Sequence, residues 1–318
     1  NMSNIEADWY TRNNFDLIGL IYTKGTGGQL AKFANVASMK SSGVEFTVST
    51  RNIKTKDFSW NTDFIFSHTK NEVTDLQSNA SVMDMISGNG FAMEGYPVRA
   101  LFSMDFQGLN ENGYPTFINE KGQLTVSDIN FQEQLKKDHL VYEGPTDPTM
   151  TGSLGNIFRY KGFTLNAFIT YSFGNVIRLD PVFHNVYSDL DAMPREFINR
   201  WTTGGDEKVT NVPVIADKRA NQQDPYLSYA YNAYNYSTER IAKGDFIRMK
   251  ELSLSYNFPK KMISRLKVND LSLKIQATNL FLIYSDKKLN GQDPEFFNTG
   301  GVASPVPRQF TLTLRLGI

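Results

Sequence analysis

The chain has 318 residues, with 33 Lys+Arg balanced by 33 Asp+Glu and a pI near 7.0, so it carries no basic footprint for nucleic acid. It has no Cys, which excludes disulfide frameworks, thiol catalysis and Cys-ligated zinc. Aromatic residues reach 13%, with 15 Tyr and 23 Phe.

The opening, "NMSNIEADWY", has neither a basic n-region nor an apolar h-region, so it is expected to lie inside a longer protein. No apolar run is long enough for a transmembrane helix, which needs about 18 residues. What recurs is alternation with period two. A weak strand at 4–17 is followed by a clear one at 44–51, with Val44, Phe46 and Val48 set against Glu45, Thr47, Ser49 and Arg51. Residues 58–67 place Phe58, Trp60, Phe64 and Phe66 opposite Ser59, Asn61, Asp63 and Ser67. Weaker strands fall near 98–107 and 149–160. In 163–174, Phe163, Leu165, Ala167, Ile169, Tyr171 and Phe173 share one face. A short helical turn is the one helical signal, at 192–201. Residues 250–258 and 271–278 alternate again, and 310–318 alternates to its last residue, with Phe310, Leu312, Leu314, Leu316 and Ile318 on one side. The pattern predicts an all-β chain.

The predicted strands exceed the roughly 5–6 residues usual in soluble sheets and suit the roughly 9–11 needed to cross a bilayer. Short links at 53–57, 161–162 and 259–270 alternate with long ones at 18–38, 73–97, 108–148, 178–244 and 284–305. Tight turns on one side and long loops on the other mark an antiparallel transmembrane β-barrel. The strand at 98–107 breaks the alternation, because both its links are long. One more strand, from "YPTFI" (114–118) or "HLVYE" (139–143), would restore it and give about ten strands. Alternation alone does not say which face is wet, since a half-buried soluble sheet alternates too. In a barrel the Leu/Ile/Phe face meets lipid and the Thr/Ser/Asn/Arg face meets a watery lumen. Trp9, Trp60, Tyr160, Tyr171, Tyr256 and Tyr284 then read as interfacial girdle residues.

Six phrases, in order, resemble the SusC/RagA-like family of TonB-dependent outer-membrane transporters. They are 41–76, "SSGVEFTVSTRNIKTKDFSWNTDFIFSHTKNEVTDL"; 95–117, "GYPVRALFSMDFQGLNENGYPTF"; 147–177, "DPTMTGSLGNIFRYKGFTLNAFITYSFGNVI"; 244–262, "GDFIRMKELSLSYNFPKKM"; 277–295, "ATNLFLIYSDKKLNGQDPE"; and 306–318, "VPRQFTLTLRLGI". The family's closing strand commonly ends in an aromatic residue, whereas this one ends in Ile318. The resemblance implies a barrel of about 22 strands with an N-terminal plug, driven by TonB and capped by a SusD-like surface lipoprotein. On it, residues 1–318 are expected to be the C-terminal portion of the barrel, in the outer membrane of a Gram-negative bacterium. The plug, the TonB-contacting segment and the remaining strands are expected outside this sequence.

No catalytic constellation emerges. "GTGGQL" (25–30) carries Leu30 where a dinucleotide fingerprint needs its third glycine. Asp189, Asp191 and Glu196 lie in one long loop; glycoside hydrolysis needs two carboxylates at a defined separation, which sequence does not show, and a solvated loop is the plainer reading. Asp293 and Glu295 of "GQDPE" (291–295) could approach calcium but lack regular ligand spacing. His68, His139 and His184 lack metal spacing, so no metal and no cofactor are expected. The strongest binding hint is the loop 178–244. Trp201, Tyr226, Tyr229, Tyr231, Tyr234 and Tyr236 offer flat faces that stack on sugars or peptides, with Asn232 and Asn235 beside them. The plainer alternative is that they pack the loop on itself or meet the lipoprotein. Import of an oligomeric nutrient, a glycan first and an oligopeptide second, is the function expected from the resemblance. A soluble carbohydrate-binding β-domain and a passive porin are the rivals, and an enzyme is the least supported.

Overall fold

The computed structural model describes residues 3–22, 31–77, 80–183, 194–264, 268–297 and 305–317. The segment 25–30, together with His184, Asp189, Asp191 and Ile318, lies outside them. In chain order the elements begin with β1 (Ser3–Tyr22), β2 (Ala31–Lys54), β3 (Phe58–Leu76), α1 (Val82–Ile86), β4 (Ala100–Met104), β5 (Phe106–Leu109), β6 (Pro115–Ile118), β7 (Leu124–Thr125), β8 (Leu140–Pro145), β9 (Met150–Tyr160) and β10 (Phe163–Phe173). They continue with β11 (Val176–Arg178), α2 (Lys218–Gln223), α3 (Leu227–Asn235), β12 (Ile241–Lys243), β13 (Phe246–Asn257), α4 (Lys260–Ile263), β14 (Asp270–Ser285) and β15 (Gln309–Gly317).

Eight strands join in one antiparallel sheet, in the order β1-β2-β3-β9-β10-β13-β14-β15. Its register lines up the alternation. One row runs Leu312, Ile275, Leu254, Leu165, Phe158 and Trp60 across six neighbouring strands. The opposite face carries Thr313, Lys274, Ser255, Thr164 and Arg159 in register. Leu312 and Ile275 remain 70% and 54% exposed, as an outward apolar face requires. Aromatic residues border this band at both ends. Trp60 stacks on Phe158 and Phe163 packs on Tyr256 near the tight turns. Trp9, Tyr171 and Tyr284 lie further along their strands. Phe163 to Tyr171 covers about 26 Å of strand at the usual rise, roughly 20 Å of membrane depth at the usual barrel tilt of about 40° and so most of an apolar band about 25 Å tall.

The turns fit the strands they join. Lys161 (φ 45°) and Gly162 (φ 92°) are the two central residues between β9 and β10. Left-handed backbone at both positions is the type I′ geometry that follows strand twist. A Cβ at Gly162 would stand 2.8 Å from the Asn257 carbonyl oxygen, so the neighbouring strand also demands glycine there.

Among the described residues the spanning strands number eight rather than ten. The segment 98–107 does form β4 and β5, and 139–143 falls on β8. However, β4 pairs with β8, while β5, β6 and β7 form a separate small sheet. All five residues of β4 are buried. A lipid-spanning strand must leave one face open, so β4 belongs to a globular excursion instead. With 77–149 as one outer connection, the alternation holds without an added strand. The expected helical turn appears as a 3₁₀ turn at Arg195–Asn199.

Both long connections fold above the same end of the sheet and share one core. Val82, Met85 and Ile86 of α1, Phe102 and Met104 of β4, and Phe117 of β6 meet Phe183, Phe197, Leu227, Tyr231 and Tyr234. The sheet stays open: β1 pairs only with β2, and β15 only with β14, among the described residues. A porin closed within this chain is therefore ruled out.

Candidate functional site

The outer domain rests on buried guanidinium groups. Arg178, on β11, donates through Nη1 to the Ser237 carbonyl (2.7 Å). Through Nη2 it donates to the carbonyls of Phe102 (2.6 Å) and Ile86 (3.3 Å) and to Ser103 Oγ (3.0 Å). Its plane also faces the Tyr236 ring, 5.9 Å from the centroid. Burial lowers its pKa to about 10, partly offset by Glu143 and Tyr236, so it stays charged at neutral pH. The same burial pushes the Glu143 carboxyl up, against the pull of Ser103, Arg178 and Lys288. Arg240 pairs with Glu196 and donates to the Asp180 carbonyl at 2.7 Å. Glu196 is thus committed to structure.

Asp293 and Glu295 serve a third arginine. Arg248, at the outer end of β13, pairs with Asp293, and its Nε lies 3.3 Å from Glu295. Both carboxylates of "GQDPE" anchor this loop to the sheet. Among the described residues, no group of three His, Cys, Asp or Glu side chains could hold a metal ion.

The six aromatic candidates separate by burial. Helix α3 turns Leu227, Ala230, Tyr231 and Tyr234 inward at i, i+3, i+4 and i+7. Tyr234 is 2% exposed, and burial raises its pKa well above the ordinary range. Tyr231 donates to the Val214 carbonyl at 2.8 Å and packs on Phe183. Tyr236 faces Arg178. Trp201 is half-buried and lies over Gly113 of the other long connection, where φ is +75° and a Cβ would strike the indole. Its Nε1 donates to Glu207 at 3.1 Å. These four rings hold the domain together. Tyr226 and Tyr229 are different. They are 62% and 43% exposed and stack on each other, with centroids 5.9 Å apart and planes 14° apart. Phe131, buried in the core, packs beneath Tyr229 with its ring tilted by 44° and centroids 6.0 Å apart. The sequence signal for this division was the helical spacing within "LSYAYNAYN".

On the polar face of the sheet, Glu251 accepts from Asn166 (3.2 Å) and Ser253 (3.1 Å), with Lys274 3.8 Å away. Ser49 donates to Asp63 at 2.7 Å. These contacts make the face a polar wall held by side-chain hydrogen bonds and one long ion pair.

An open antiparallel sheet with one apolar face, two aromatic belts and a globular outer domain defines part of an outer-membrane β-barrel. No helix among the described residues is long and apolar enough to cross a membrane, and such barrels cross with strands. The chain is similar to TonB-dependent receptor P3 of Formosa agariphila, 23% identical over 93% of this chain and 29% of that protein. It is similar to TonB-dependent receptor SusC of Bacteroides thetaiotaomicron, 25% identical over 98% of this chain and 29% of that protein. Among solved structures it resembles the RagAB peptide transporter, with a TM-score of 0.74 and 20% identity over 99% of this chain and 33% of that one. No family model matches. The resemblance to SusC/RagA-like TonB-dependent outer-membrane transporters thus stands, and the chain spans about a third of the length of the relatives it matches. Those relatives are receptors and transporters, not enzymes.

Proposed function

We propose that this chain supplies the C-terminal part of the barrel of an outer-membrane active importer for an oligomeric nutrient. The observation that carries it is the open two-faced sheet beneath an outer domain. Unpaired strand edges at β1 and β15 cannot face lipid, so further strands must complete the wall. An N-terminal plug would fill the lumen, and TonB would drive its remodelling. A SusD-like lipoprotein would close over the outer domain and trap the nutrient there. Lumen side chains such as Glu251, Asn166 and Lys274 would offer a polar path without covalent chemistry.

A glycan is the favoured cargo. The family resemblance puts it first; the exposed, stacked Tyr226–Tyr229 pair offers flat faces that suit sugar rings and peptides alike. Oligopeptide import is the alternative; it is what the RagAB structures are described as doing. The test is to purify the assembly from outer membranes in detergent and identify every co-purifying chain and bound ligand by mass spectrometry. A plug-bearing segment and a surface lipoprotein are expected, with oligosaccharide bound. Bound peptide would select the alternative. A detergent-free monomer would overturn the membrane assignment.

A further inference from the structure

The tight turns make one continuous rim at the end of the sheet opposite the outer domain. The Lys161 amide donates to the Asp57 carbonyl at 3.2 Å, and the Asn257 amide donates to that of Gly162 at 2.9 Å. The β2–β3, β9–β10 and β13–β14 turns therefore sit side by side. They carry Lys54, Lys56, Arg159, Lys161, Lys260 and Lys261, all exposed. The acidic side chains on this rim are Asp57 and Asp270. None of the six cations makes an ion pair among the described residues, whereas Arg99, Arg240 and Arg248 at the outer end all do.

Depth adds a second, independent observation. The aromatic belt of Trp60, Phe158, Phe163 and Tyr256 lies immediately inside the rim. Such belts sit at headgroup level, so the cations stand where lipid phosphates lie. Lys161 Nζ lies 5.2 Å from the centre of the Tyr160 ring, its stem along the belt. A groove of about 290 Å³ runs between two turns, with Lys56 and Lys161 of the turns in its lining.

We infer that this rim binds anionic phospholipid of the periplasmic leaflet, the turn lysines Lys56, Lys161, Lys260 and Lys261 holding the headgroup phosphate, while Lys54 and Arg159 stand on the lumen face of their strands. The inference rests on the barrel assignment above. The detergent-purified assembly is equilibrated with phosphatidylglycerol or phosphatidylcholine of equal chain length, and retained lipids are counted by native mass spectrometry. Wild type should keep about fivefold more phosphatidylglycerol, as clustered surface cations favour anionic lipid. The K56Q/K161Q/K260Q/K261Q variant should bring the two lipids to parity. A variant with arginine at these four lysine positions should keep the preference. Equal retention by wild type, or a preference that survives neutralisation, overturns the lipid site while leaving the barrel intact. An assembly that needs no detergent overturns the barrel assignment instead. If the neutralised variant fails to assemble, the wild-type comparison and the arginine variant still decide.

Discussion

Arg178 donates to the Phe102 carbonyl at 2.6 Å, across 76 positions of sequence. With its bonds to Ile86, Ser103 and Ser237, this side chain joins both long connections at one buried point. Replacing it with Met fills similar volume but strands those acceptors. Each buried acceptor left unpaired costs about 1–3 kcal/mol. Lysine should rescue little, because it lacks the planar fork. Hydrogen exchange on the purified assembly should show faster exchange across 80–146 and 194–240 in Arg178→Met, with the sheet strands unchanged. Protection equal to wild type would show that the core holds the connections without the bolt.

The tyrosines of the outer domain should divide into two kinds. Tyr234 is enclosed by Phe106 and Phe183, and Tyr234→Ala should cost about 3–5 kcal/mol. Tyr226→Ala and Tyr229→Ala should change stability by no more than about 0.5 kcal/mol, as exposed positions do. Each stacked face contributes about 0.5–1.5 kcal/mol, so the double substitution should weaken nutrient binding about tenfold. Calorimetric titration with the bound nutrient, beside a thermal melt, reads both. A double variant with unchanged affinity moves the binding surface elsewhere.

The barrel strands were legible because their signal is local. Each side chain's face is fixed by its parity, and the turn residues Lys161 and Gly162 stand next to each other. The outer domain was legible only in part. The segment 100–104 has strand composition, but only the small sheet and core around it bury all five residues. In α3 the i, i+3, i+4, i+7 set was present, yet dense tyrosines on both faces hid it. The arginine contacts left no trace in spacing. Arg248 meets Asp293 across 45 positions, and no short-range rule ties them together. For the same reason "GQDPE" offered carboxylates whose partner could not be read.

Neighbouring residues on β14 should respond in opposite ways to charge. Ile275 pairs with Leu254 and Leu312 on the apolar face, while Gln276 pairs with Ser253 and Thr311 on the polar one. An arginine facing lipid near mid-membrane costs about 2–4 kcal/mol. Ile275→Arg should therefore lower the folded fraction in denaturant titration, and Gln276→Arg should barely move it. Equal effects would show that the two faces had been assigned to the wrong solvents.

Glu143 should make the outer domain sensitive to pH. Burial raises its pKa above 4.5, and Ser103, Arg178 and Lys288 do not fully offset it. The folded state then binds more protons than the unfolded one, so stability falls as pH rises from 4.5 through the raised folded value. Well below 4.5 the penalty is absent, and it grows as pH rises through the raised folded value. Gln mimics the protonated form, so Glu143→Gln should stabilise the domain at pH 7 and match wild type near pH 4. Protease cleavage within 80–146, followed from pH 4 to pH 8, should rise in wild type relative to Glu143→Gln. Parallel profiles would mean that Arg178 compensates the buried carboxylate in full.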